Sequence, residues 1–456
     1  MLAVLLAGQA MASIDGSIVS VAAETIRRGL DANDAEIQLV VSSYLLTTGV
    51  LFVTCARIGD VIGHRRAFLI GLSWFTAASV LCGISVSPSM LIVCRIAQAV
   101  GAALLTPQVF SLIHLQWEGA ERRKAIGLYS MVLALGVALG QVCGGLVAGA
   151  DLFGLSWRPV FLVNGPIGVI VLAVGARYLP SSRSREPAHL DLGGVALLTA
   201  AMTAITLPLI FGGSHGWPAW VWIMLAGGGL LLALFVRHET RSLHPVLDLA
   251  ALKPRELQLG LVACCIVMGC YTVLLLTLTL HLQSHLGYTP LQAGLAFVPY
   301  AIGFGVLSLT WSACPRWVQR ALPIAGPLVY ATGMLLLVLA YREEWHPIGA
   351  TALLLLAGAG HAAGYSPLIA QITSRVEPRL ASAISALNST GPVLAEVVAV
   401  AGLGSLYFAA PTSATGLLRL AAAVTALLVL AATCATAAIH IHIHQGGSGQ
   451  GSAVPR

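Results

Sequence analysis

Apolar residues fill this chain in blocks of about twenty, each long enough as a helix to cross a hydrocarbon layer of roughly 30 Å. The blocks lie near 2–23, 36–56, 67–86, 89–114, 125–149, 158–179, 192–212, 217–236, 258–281, 291–312, 322–340, 348–373, 381–408 and 415–438. Short polar connections separate them. The pattern predicts fourteen membrane-spanning helices and an all-α polytopic membrane protein. Barrel strands would instead show short segments that alternate in polarity. The first block lacks the basic start of a signal peptide, so it is expected to be a helix.

Two connections are longer, charged and proline-bearing: 180–191 (PSSRSREPAHLD) and 237–256 (RHETRSLHPVLDLAALKPRE). They set two helices apart between six on each side, a 6+2+6 arrangement in keeping with two transporter bundles and an inserted pair. The expected organisation is a six-helix bundle over 1–180, an inserted pair with its linkers over 181–256, and a second bundle over 257–438. A flexible tail is expected over 439–456. Within it the run IHIHIH reads as solvated, not as a metal site.

Composition changes little in this picture but closes off other classes. Charged residues make up 9% of the chain and hydrophobic ones 57%, against roughly 25% charged in a soluble domain. The net charge of +6 is not a nucleic-acid signal, because the basic residues alternate from side to side. One set of loops carries Arg57, Arg65, Arg66, Arg122, Arg123, Lys124, Arg177, Arg183, Arg185, Arg237, Arg241, Lys253, Arg255, Arg316, Arg320, Arg375 and Arg379. The other set carries Arg27, Arg28, Arg158, Arg342 and Arg419. By the positive-inside rule both termini are expected in the cytoplasm, in a cell (inner) membrane. The nine cysteines have no metal-ligand spacing and read as small buried residues. No metal or cofactor is expected.

Energy for transport is not expected from ATP. Neither of the two lysines, Lys124 and Lys253, ends a phosphate-cradling glycine-rich loop. An ion gradient then requires titratable groups inside the spans, and three ionisable residues stand out: Asp15, Arg95 and Glu396. A charge at that depth costs at least about 2.5–3.5 kcal/mol on insertion scales, so each is expected to face a partner or a cavity. Asp15 shares its helix face with Gly8, Met11, Ala12, Val19 and Ala22, which leaves room for a neighbouring helix or a substrate. Gln98 lies a turn beyond Arg95, and Glu396 a turn beyond Pro392, where a helix bends. His114, His281 and His361 lie in or near spans and read as neutral hydrogen-bonding residues before proton relays.

At this point the residues carry a resemblance. ARIGDVIGHRRAFLIG (56–71) resembles the loop between the second and third helices of the major facilitator superfamily, with Asp60, Gly63, Arg65 and Arg66 in matching places. RIAQAVGAAL is similar to that family's fourth-helix motif through Arg95 and Gln98. GVALGQVCGG is similar to its fifth-helix antiporter motif, with Gln141 where Gly-Pro is usual. SIDGSIVSVA, SWRPVFLVNGPIG and HLQSHLGYTPLQAGLAFVP narrow the likeness to the fourteen-helix drug:proton antiporters of the quaternary-ammonium exporter type. Glu24 stands where those proteins often have proline.

The resemblance implies a major facilitator fold and alternating access. A lipophilic, cationic drug or antibiotic would meet a carboxylate, Asp15 or Glu396, and protons from outside would compete for it. Asp60, Gly63, Arg65 and Arg66 would form a cytoplasmic gate loop, and Gly136, Gly140, Gly144 and Gly145 would let the fifth helix pack at the bundle interface. A proton-coupled major facilitator transporter of a specific metabolite, including an uptake symporter, remains the alternative. The expected partners are small lipophilic substrates, protons and the lipid bilayer, with the chain acting as a monomer and not as an enzyme.

Overall fold

The computed structural model describes residues 1–150, 154–180, 191–242, 245–373 and 381–448. Its first helices are α1 (Leu2–Leu30), α2 (Asp34–Ile62), α3 (His64–Gly83), α4 (Pro88–Gln116) and α5 (Gly119–Gly149). A sixth span is broken into α6 (Pro159–Leu162) and α7 (Asn164–Tyr178), followed by α8 (Leu192–Gly212) and α9 (Ala219–Glu239). Then come α10 (Arg255–Ser284), the broken pair α11 (Pro290–Ala296) and α12 (Val298–Thr310), and α13 (Arg316–Tyr341). The chain ends with α14 (Pro347–Thr373), α15 (Ala381–Phe408) and α16 (Ser413–Ser448). Among the described residues thirteen helical stretches are long and apolar enough to cross a membrane, and the apolar part of α5, Leu139–Gly149, adds a shorter one.

The helices outrun the apolar blocks because their polar ends keep the same hydrogen-bond ladder beyond the hydrocarbon. Local chemistry sets several ends. Asn33 and Glu36 form a capping box at the start of α2, and Thr289 and Gln292 form one at α11. Gly63, at φ 93°, makes the sharp α2–α3 turn in a backbone region that side chains disfavour. α16 runs helical from Ser413 to Ser448, past the end of the last apolar block at 438. Residues 449–456 lie outside the described residues.

Successive helices run in opposite directions, so the molecule has a face carrying Met1 and an opposite face carrying Leu30. Helices α1–α7 pack on one another, as do α10–α16. The two groups meet along α2 with α15, α5 with α11, and α1 with α10. Named contacts across this seam lie at mid-depth or toward the Leu30 face. Gln283 donates to the Val21 carbonyl at 2.8 Å, and Gly145 approaches the Pro290 backbone so closely that a Cβ would sit 2.6 Å from its oxygen. At mid-depth Gly49 abuts Val393 and Leu394.

The pair α8–α9 packs on itself, Gly228 against Ile205, and α8 leans on both α2 and α15. Its linker is more than a polar tether. Val246 and Leu247 are buried, the Leu247 N–H donates to Glu239 at 2.7 Å, and Arg57 of α2 donates to the Pro245 carbonyl.

Candidate functional site

Asp15 sits at mid-depth in α1, with none of its side chain exposed. Gly8, one face-mate, lets α1 approach α3 and α4; a Cβ there would lie 2.8 Å from Phe68 and 3.5 Å from Leu105. The small residues on this face therefore admit neighbouring helices. Arg95 of α4 reaches Asp15 through Nη1 at 2.6 Å, and its own side chain is 1% exposed. The guanidinium also donates to Gln98 Oε1 at 2.7 Å and to the Val40 carbonyl at 3.3 Å. It lies over the Tyr44 ring, 4.0 Å from the centroid.

The second carboxylate oxygen is filled as well. Gln98 Nε2 donates to Asp15 Oδ1 at 2.7 Å and to Ser79 Oγ at 2.7 Å, and Asn164 Nδ2 donates to the same Oδ1 at 3.2 Å. A buried charge pair is tolerable when its remaining lone pairs and protons are satisfied, and here four helices supply the partners. Chemically this is a closed unit: a carboxylate in contact with a guanidinium, with further hydrogen bonds from α4 and α7. Neutralising Asp15 would release Arg95 and loosen α1 from α4.

Glu396 is placed otherwise. It lies half-buried on α15, next to Thr272 of α10, and forms no ion pair among the described residues. The rings of Tyr271 and Tyr365 and the thiol of Cys265 are within its electrostatic reach. Across the seam, Gly16 of α1, one residue after Asp15, has open space where a Cβ would stand. Asp15, Arg95 and Gln98 thus come together in one network, and Glu396 stands apart in the other helix group.

The α2–α3 turn forms a compact unit within its own group. Asp60 Oδ1 is 3.4 Å from His64 Nε2, and His64 Nδ1 is 2.8 Å from Gln108 Oε1. Arg65 donates to the Ala176 carbonyl of α7. None of these contacts reaches α10–α16, and Arg375 and Arg379 lie outside the described residues. On α5, Gly136, Gly140 and Gly144 face α1, where Cβ atoms would meet Ser13, Ser17 and Ile18; Gly145, turned about 100° from Gly144, alone meets α11. The four glycines therefore serve two different seams.

Several partners escaped sequence reasoning. Ser79 and Tyr44 carry no pattern signal, because a lone hydroxyl in an apolar span is unremarkable without the facing helix. Gln141 marks a different solution from the usual proline: its Nε2 donates to the Ser17 carbonyl at 2.9 Å. Glu24 is balanced by Arg27 and Arg28 at 2.8 and 2.7 Å. His281 bridges Ser413 and the Arg342 carbonyl, each at 2.7 Å, and acts as a brace.

Comparison with known proteins matches the chain to a family. The family model described as Major Facilitator Superfamily matches residues 5–400. A protein of Streptomyces coelicolor named "Probable actinorhodin transporter" is 32% identical over 89% of this chain and 72% of its own length. The "Cephamycin export protein CmcT" of Amycolatopsis lactamdurans is 36% identical over 82% of this chain and 78% of its own length. "Multidrug resistance protein Stp" of Mycobacterium tuberculosis is 31% identical over 88% of this chain and 74% of its own. Among solved structures, a peptide transporter POT bound to sulfate matches with TM-score 0.71 at 17% identity, covering 97% of this chain and 95% of that one. A bacterial homolog of the human lysosomal transporter Spinster matches with TM-score 0.69 at 17% identity, covering 97% of each.

Proposed function

The chain belongs to the Major Facilitator Superfamily and is an integral membrane transporter, not an enzyme; from that premise we propose that it exports lipophilic, cationic drugs or antibiotics in exchange for protons. It is a fourteen-helix antiporter of 6+2+6 organisation, with bundles over 1–180 and 257–438, the inserted pair over 181–256, and both termini in the cytoplasm. Relatives named for cephamycin export and multidrug resistance support the export direction. The Met1 face is then cytoplasmic, in line with its arginine-rich loops. The seam contacts toward the Leu30 face correspond to a state closed to the outside.

The observation that carries this reading is the contrast between a sealed Asp15–Arg95 pair and an unpaired Glu396. Glu396 exchanges ligands: a cationic substrate or a proton neutralises it in turn, never both. Asp15 senses the outcome as a lock, with its charge fixing α1 to α4 through Arg95, Gln98 and Asn164. When the carrier opens outward, the Asp60 loop, with Gly63, Arg65 and Arg66, latches onto the second bundle. Gly145 allows α5 to rock against α11 as the seam changes sides.

Purified protein in vesicles tests the reading. An imposed proton gradient, inward with respect to the cytoplasmic side, should drive a fluorescent cationic dye the other way. Dye moving with the protons instead would establish the uptake symporter and overturn export. Asp15→Asn should abolish coupled movement in protein that still folds.

A further inference from the structure

The α10–α16 half holds a cluster of rings that the proton chemistry does not use. His361 of α14 lies at mid-span and is 2% exposed. Its imidazole stacks on Tyr330 at 5.6 Å and 15°, and packs against Tyr271 at 5.1 Å and Phe304 at 4.8 Å. Tyr365 stands edge-on at 6.4 Å. The Tyr300 hydroxyl is 2.6 Å from His361 Nδ1. A phenol is the better donor of the two, so Tyr300 donates to Nδ1, and Nε2 carries the imidazole proton. That N–H is buried with no hydrogen-bond partner, an arrangement that ordinarily costs about 1–3 kcal/mol.

Tyr271, Tyr300 and Tyr330 also bound an internal void of about 10 Å³, room for one water. Leu354 lines both this void and a groove of about 250 Å³ that runs past Tyr288 and Trp345 on the Leu30 side. Tyr271 of the cluster directly precedes Thr272 in α10, the residue beside Glu396.

We propose that this ring cluster is a substrate subsite for flat aromatic molecules that carry a carbonyl or phenol oxygen beside the ring. The tyrosine faces take the ring system, and the spare His361 N–H takes the oxygen. An amine elsewhere on the molecule reaches Glu396. The void holds only about one water, so the rings part to admit the substrate, whose ring replaces tyrosine-to-histidine stacking with contacts of the same kind. The subsite rests on the exporter reading, and it gives that reading a substrate class.

Equilibrium binding to the purified full-length protein tests it without any transport assay. Three probes are compared: an amino-sugar-bearing hydroxyanthraquinone, ethidium, which is flat and cationic but lacks the oxygen, and tetraphenylphosphonium, which is not flat. Wild-type protein should bind the anthraquinone roughly tenfold more tightly than ethidium, about the effect of one buried hydrogen bond. His361→Phe keeps a ring and removes the N–H; it should remove that preference and leave tetraphenylphosphonium affinity within about twofold. Equal wild-type affinities, or a loss shared by all three probes in His361→Phe, would overturn the subsite. The wild-type comparison stands even if the variant does not fold. Failure of proton-driven dye movement, with the preference intact, would instead count against the exporter reading alone.

Discussion

Two acidic residues at similar depth in the membrane meet opposite surroundings. Asp15 is enclosed by α3, α4 and α7, which give it a guanidinium and two side-chain amides. Glu396 is half-buried beside a single threonine, with aromatic rings and a thiol around it. A carboxylate that is fully paired is costly to change and suits a lock. One that is half-buried and forms no ion pair among the described residues can accept a proton or a cation without dismantling the fold. In the proposed exporter, the same residue class serves structure in one half of the molecule and exchange in the other.

The comparison breaks most visibly at Arg95. Arg95→Ala strands a buried charge, and a loss of about 3–5 kcal/mol is expected, read as a large fall in melting temperature or in folded yield. Combining it with Asp15→Asn should recover much of that loss; no recovery would mean the pair is not coupled. A smaller effect is expected at the seam that holds α1. In Gly140→Ala the added Cβ would lie 2.0 Å from Ser17 Oγ and 2.7 Å from the Ile14 carbonyl, so a loss of about 1–3 kcal/mol is expected by thermal unfolding.

Smaller again is the effect at the inserted pair. Asp191 caps α8 through the Gly194 N–H at 2.8 Å and meets His238 at 2.9 Å. Burial works against its charge, but the Gly194 N–H and His238 outweigh it and hold the carboxyl below its ordinary value. Its folded-state value lies under the unfolded one, so its contribution is complete at neutral pH and fades as acid takes the pH down through the folded value. Asp191→Ala should cost about 1 kcal/mol as a lost cap. It should also remove the acid dependence of linker protection in hydrogen exchange. Glu396→Gln should be nearly silent in stability, within about 0.5 kcal/mol. A large destabilisation there would place Glu396 in a structural pair after all.

Much of the fold was legible because lipid demands it: twenty apolar residues in a row leave the backbone few options but a helix. The polar residues in those runs were equally legible, since Asp15, Arg95 and Gln98 stand out against their neighbours. Their meeting was not, because pairing between α1 and α4 depends on which faces turn inward. Ser79 was invisible for that reason, Tyr44 could not be told from an ordinary packing residue, and the glycines of α5 could not be sorted between α1 and α11. The ring cluster around His361 is assembled from four helices and has no linear signature. The linker's burial of Val246 and Leu247 was likewise hidden behind its polar composition.

The central claim, that Glu396 exchanges the proton while Asp15 locks the helices, is tested most directly by dye transport in vesicles. Wild type, Glu396→Gln and Asp15→Asn are compared under a proton gradient and in gradient-free substrate exchange. Glu396→Gln should lose gradient-driven uphill movement yet keep dye exchange, with its pH dependence flattened, whereas Asp15→Asn should lose both modes. Proton-driven transport that persists in Glu396→Gln, or exchange that survives in Asp15→Asn, would contradict the account.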